Sequence, residues 1–190
     1  MAKQTASAKP AKSAGKATSN AFIPDDAISS GSASYMKIVK GDNKVRIISR
    51  PIAGWVEWVD KKPLRTTLDE QPEKTDDDNP PKKFLAMAVI DQTDGLVKIW
   101  EITQQSVIKA IKALAANPDW GNPFSYDINI NKTGEDLKTK YTVTPSPKKP
   151  LSKDAIKAAN EKPCNLLALY EGEDPWEVGE EQTEYHLQSK

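Results

Sequence analysis

The stretch "FLAMAVIDQTDGLVKIWEITQQSVIKAIKALAANP", Phe84 to Pro118, limits the fold more than any other. Two apolar runs flank a polar turn at Gln92 to Gly95, a pattern that predicts an antiparallel hairpin. Strand alternation puts Phe84, Ala86, Ala88 and Ile90 on one face and Leu85, Met87 and Val89 on the other. The period then changes. Val107, Ile108, Ile111, Leu114 and Ala115 fall at helical spacing, with Lys109 and Lys112 off the stripe. Thr103 is the expected N-cap, and Asn117-Pro118 ends the helix.

Other strands surround this unit. "YMKIVK" and "KVRIIS" read as strands joined by a turn at Gly41-Asp42-Asn43. "GWVEWVD" reads as another, with Trp55, Glu57 and Val59 on one face and Val56, Trp58 and Asp60 on the other. "LDEQPEKTDDDNPPKK" has three Pro and a run of three Asp, and reads as a polar loop. "YDININ" and "LKTKYTVTP" form a last hairpin around a turn at Lys132 to Asp136. Five to seven strands with one inserted helix suit a mainly β fold. The expectation is an OB-fold-like antiparallel five-stranded barrel with one inserted α-helix and disordered tails. A sandwich fits less well, because the strands are few and the helix is central.

At 190 residues and 37% hydrophobic content, the chain suits one domain with unpacked ends. Residues 1–34 read as a disordered basic arm and linker, with four Lys against two Asp (net +2). Residues 35–150 form the expected barrel, with nineteen Lys and Arg against sixteen acids (net +3). Residues 151–170 hold a short helix capped by Ser152 and the apolar run "NLLALY", expected to pack on the core. Residues 171–190 read as an acidic tail, and the whole part from Leu151 on has four Lys against nine acids (net −5). The neutral total therefore hides a mildly basic middle and an acidic end.

Several chemistries are excluded or disfavoured. One Cys and one His cannot build a disulfide framework, an ordinary zinc site or a Ser-His-Asp arrangement. There is no phosphate-binding glycine loop of the GxxxxGK[ST] or GxGxxG type. No apolar run approaches the roughly 18 residues of a membrane span, and the N-terminus lacks a signal-peptide core, so an intracellular, membrane-free protein is expected. The Asp76 to Asp78 run could hold Mg²⁺ for a hydrolase, but a charge run in a Pro-rich loop is simply solvated in most proteins. No catalytic residue, metal or cofactor is expected.

Aromatic rings near cations give the sharper signal. Single-stranded nucleic acid is held by rings stacked on bases and by Lys and Arg along the phosphates. The candidate rings are Trp55, Trp58, Phe84, Trp100 and Tyr141. The candidate cations are Arg46, Arg50, Lys61, Lys62, Arg65, Lys82, Lys83, Lys98, Lys138 and Lys140. Alternation allows only one of Trp55 and Trp58 to face a groove, and Trp55 is the choice, with Trp58 packed. Any of the rings can instead be core, and Lys61 to Arg65 can be an ordinary turn. The acidic end, with Glu171, Glu173, Asp174, Trp176, Glu177, Glu180 and Glu181, can compete with DNA, dock partner proteins, or merely keep the chain soluble.

The stretches "KIVKGDNKVRIISRPIAGWVEW", "KKPLRT", "FLAMAVIDQTDGLVKIWEITQQSVIKAIKALAANPDWGNPFSYDINI" and "GEDLKTKYTVTP" resemble phage-encoded single-stranded-DNA-binding proteins with an OB-fold. The resemblance covers about Tyr35 to Pro147 and extends weakly to "NLLALYEGEDPWE". It implies coating of single-stranded DNA during replication, recombination and repair in the cytoplasm of the infected bacterial host, without catalysis. It implies phage or host replication proteins as partners of the acidic end. Trp55, Lys61, Lys62, Arg65 and Tyr141 match groove positions best. Two departures stand out: the zinc site of the T-even phage proteins cannot form here, and "EYHLQSK" differs from the acidic-hydrophobic tip of the bacterial proteins. The alternative is an OB-fold protein–protein interaction module of a phage replication or recombination complex.

Overall fold

The computed structural model describes residues 34–73 and 79–187. The expected basic arm, except Ser34, lies outside them, as does the Asp76 to Asp78 run. Seven strands form one antiparallel sheet: β1 (Gly41–Ile47), β2 (Ile52–Val59), β3 (Lys62–Thr67), β4 (Lys82–Asp91), β5 (Val97–Ile102), β6 (Ile128–Thr133) and β7 (Lys140–Pro145). Among the described residues, three α-helices accompany them: α1 (Gln105–Ala116), α2 (Lys153–Glu161) and α3 (Ala168–Glu171). The hydrogen-bonded order is β3-β2-β4-β1-β6-β7, with β5 along the other edge of β4.

β1 and β2 share one edge of β4. Val45 to Ile47 pairs with Val89 to Asp91, and Ile52 to Val56 pairs with Lys82 to Ala86. Between these ladders, Ile48 to Pro51 lies opposite only Met87 and Ala88, so the chain bulges. The bulge stays hydrogen-bonded. Ile48 N–H donates to Ala88 O at 3.0 Å, and Ala88 N–H donates to the Ser49 hydroxyl at 2.9 Å. Pro51 has no N–H to leave unpaired, which suits a bulge.

Two local expectations are corrected. Residues 36–40 form no strand; Tyr35 makes a single parallel bridge to Ile99, and Gly41 to Asn43 already belongs to β1 rather than to a turn. The reason lies in Asn43, whose side chain accepts from Val39 N–H and donates to Val39 O and Ile130 O, tying the bend to β6. The stretch after Trp58 is also not a loop. The turn is only Asp60-Lys61, and Lys62 to Thr67 returns as β3. Gly54 permits this return: a Cβ there would lie 2.0 Å from Thr66 O.

Asp60 and Lys61 both sit at positive φ, 49° and 65°, as a type I′ hairpin turn requires. A side chain in this region costs about 1–2 kcal/mol, partly offset by the entropy a glycine loses on folding. Lys61→Gly should therefore stabilise the fold by about 0.5–1 kcal/mol, read as a raised urea midpoint at unchanged slope. A lowered midpoint would refute this account of the turn.

The apolar run of β4 is explained by burial on both faces. Met87 and Val89 join Val45, Ile47, Trp100, Ile102, Ile128 and Ile130 in one core, closed by Val107 and Ile111 of α1. Phe84, Ala86, Ala88 and Ile90 join Val56, Val97 and Ile99 in a second core, covered by Ala159, Cys164, Leu166 and Leu169. Helix α1 begins after Gln104, one residue beyond the expected cap, and ends at Asn117. Ser152 caps α2 by accepting from Ala155 N–H.

Residues 171–187, expected as a free acidic tail, are bound to the sheet. His186 N–H donates to Ile48 O, Thr183 N–H to Cys164 O, and the Tyr185 hydroxyl to Lys162 O. Trp176, Tyr185 and Leu187 pack on the second core. Sequence charge gave no hint of this, because the anchors are three apolar or aromatic side chains spread among seven acids. Among the described residues, no helix is long and apolar enough to cross a membrane.

Candidate nucleic-acid interface

Strand alternation sorts the expected contact residues. Trp55 and Trp58 do face opposite ways, since Trp55 is opposite Thr66 and Lys83 while Trp58 is opposite Pro63. Trp55 is half-buried. Its indole N–H donates to Leu68 O at 3.3 Å, and the Lys83 ammonium lies 5.0 Å from its ring centre. Trp58, expected to pack, is 56% exposed, because β2 runs past the edge of the second core before it reaches this ring.

The β2–β3 hairpin and the start of β4 gather Lys61, Lys62, Lys82 and Lys83, all exposed. None of the four makes an ion pair among the described residues. Two indoles and four cations with no ion pair among the described residues thus gather on the β2–β3 hairpin and the adjoining start of β4. The second group of expected cations, Lys138 and Lys140, is exposed around the β6–β7 connection. This connection is tightly built: Gly134 has φ 74°, and a Cβ on it would meet Lys138 O at 2.2 Å.

Five expected contact residues are engaged elsewhere. Phe84 and Trp100 are 1% and 2% exposed, one in each core, so neither ring has a face free for a base. Arg46 is 1% exposed; its Nε donates to Asp127 Oδ1 at 2.8 Å, and Nη2 forms an ion pair with the same oxygen at 2.8 Å. Lys98 bonds Asp91 at 2.7 Å and Asp94 at 2.6 Å. Burial lowers the Lys98 pKa, but the two carboxylates outweigh it and hold the amine above its ordinary value. Burial likewise raises Asp91, and the Lys98 and Thr93 hydrogen bonds more than reverse it. Arg65 donates Nε to Glu101 at 2.7 Å across the β2–β4 face. Tyr141 is half-buried and packs against the first core.

Sequence reasoning could not separate paired from unpaired lysines, because each partner is on another strand or turn. The acids expected for partner contact are exposed at Glu171, Glu173, Asp174, Glu177, Glu180 and Glu181, while Trp176 is half-buried. The Trp176 ring takes the Lys162 ammonium 4.1 Å from its centre. Glu173 and the cations Lys37, Lys62 and Arg65 line one groove between α3 and β3. No group of three or more His, Cys, Asp or Glu side chains is placed to hold a metal ion among the described residues.

The chain is similar to a protein of Escherichia phage T5 named "Probable ssDNA-binding protein". The two are 26% identical over 138 aligned residues, covering 57% of this chain and 53% of the relative. The chain thus spans about half the length of the curated relative it matches. No protein-family model matches the chain, and no solved structure matches it.

Proposed function

We propose that the chain binds single-stranded DNA without reading its sequence, through indoles that stack on bases and lysines that neutralise phosphates. The observation that carries this reading is the ribbon of Trp55, Trp58, Lys61, Lys62, Lys82 and Lys83, whose cations have no acid partner among the described residues. The name of the T5 relative supports the ligand class. A binding role asks for no catalytic group, and coating of strands during phage replication, recombination and repair is the setting that fits it.

The order of elements supports an OB-fold. With β1 and β2 taken as one bulged strand along β4, and β3 taken as part of the connection between that strand and β4, the succession is strand, β4, β5, α1, β6, β7. OB-folds bind ligands on the second and third strands and on the loops after the first and fourth. Here those loops carry Lys61 and Lys62 on one side and Lys138 on the other. The outer β4–β5 face is buried under α2, α3 and Trp176. The strand path is therefore assigned to the two hairpins rather than to that face. The exposed acids from Glu171 to Glu181 suit docking of a basic partner protein, such as another replication protein of the phage or its host.

Titration of the full chain with oligo-dT should quench tryptophan emission, because Trp55, on the face it shares with Lys83, is the ring that meets bases. Affinity should fall with salt at a slope of about −0.7 per phosphate neutralised. Duplex DNA of equal length should bind more weakly. No quenching and no mobility shift at micromolar protein would overturn the reading and favour a protein-interaction module.

A further inference from the structure

The first core is left open at one end. Between the Ser49 to Pro51 bulge and α1 lies a cleft of about 470 Å³, inside the range of roughly 300–1,000 Å³ found for small-molecule pockets. Leu85 and Met87 form its floor, and Ile108, Pro51 and Phe124 its walls. Arg50 on the bulge and Lys112 on α1 stand at the rim. Both are exposed and neither makes an ion pair among the described residues. The lining contains no carboxylate. An apolar slot bordered by two cations with no ion pair among the described residues matches a flat base flanked by phosphates, and it repels an acidic partner.

The cleft and the ribbon described above share β4. Leu85 follows Lys83 on the same face of β4, about 7 Å along the strand. A DNA strand that crosses Trp55 and Lys83 therefore meets the cleft next. Phe124 is fixed there by its ring stack on His186, centres 4.1 Å apart at 14°. Its backbone N–H is held by the Asn122 side chain.

We propose that this cleft is a base subsite: it takes one unstacked nucleobase of the bound strand, with Arg50 and Lys112 on the adjoining phosphates. The proposal rests on the single-stranded-DNA reading and adds a place, a ligand class and two cations to it.

The test is Ala115→Trp, which fills the cleft from an exposed position on α1 and leaves the β2–β3 ribbon untouched. Binding is read by anisotropy of labelled oligo-dT and of an abasic strand of equal length. A25-mer of dT should bind about 10-fold or more weakly to the variant, as loss of one base contact implies, and the abasic strand should bind it as it binds the wild type. Arg50→Ala and Lys112→Ala, both surface changes, should each reduce the salt slope by about 0.7; they carry the test if Ala115→Trp fails to fold. Equal losses on dT and the abasic strand, or no loss on dT, would overturn the subsite. If Trp55→Ala still weakens dT binding in that case, the single-stranded-DNA reading stands without it. A wild-type chain that binds no single strand would overturn both.

Discussion

Asp127→Ala should destabilise the domain by about 3–5 kcal/mol, a large share of the roughly 5–15 kcal/mol that holds a domain of this kind together. The Asp127 side chain is fully buried, and Arg46, 1% exposed, meets Oδ1 with two nitrogens at 2.8 Å. Lys149 and Lys44 lie 3.0 and 3.5 Å from Oδ2, off the line of a hydrogen bond, so they balance its charge more than they bond it. Removal of the carboxylate leaves a buried guanidinium with one long contact to Phe124 O at 3.5 Å. The double change Arg46→Met with Asp127→Leu should recover most of the loss, because the desolvation of both charges vanishes together. Urea melts of the three proteins check this. A single variant within 1 kcal/mol of wild type would show that the pair is not buried as described.

The triple change Lys61→Ala, Lys62→Ala and Lys83→Ala should act on binding and hardly on stability. All three side chains are exposed and none is in an ion pair among the described residues, so each should shift stability by no more than about 0.5 kcal/mol. If each neutralises one phosphate, the salt slope falls by about 2. The affinity loss then reaches on the order of 500-fold at 50 mM salt and fades towards 1 M. The loss should be uniform across base sequences, as phosphate contacts are. Lys98→Ala is the contrast: its amine is committed to Asp91 and Asp94, so the slope should not change while stability falls. An unchanged slope in the triple variant would remove the ribbon from the binding surface.

The fate of each lysine and ring was legible only in part. The β4–β5 hairpin, the α1 stripe, the Ser152 cap and the opposite facing of Trp55 and Trp58 follow from periods of two and 3.6 residues, which are local. The Asp60-Lys61 turn was missed because neither residue is Gly or Asn, the usual markers of positive φ. Phe84 and Trp100 looked like stacking rings because alternation says which side a residue faces, not what lies over it. What lies over Phe84 is Leu169 and Tyr170, some 85 residues further along the chain.

The sequence by itself determined a mainly β chain with one central helix, the absence of a zinc or disulfide framework, and the spacing of rings and cations along each strand. Only the tertiary structure decided which of those groups meet solvent. Arg46 and Lys98 are spent on carboxylates brought from the residue before β6 and from the end of β4 and its turn into β5. The acidic end is drawn onto the second core by Trp176, Tyr185 and Leu187. Lys61, Lys62, Lys82 and Lys83 make no ion pair among the described residues. Charge and aromaticity are properties of a residue, but availability depends on what the rest of the chain places against it, and that is settled by long-range pairing.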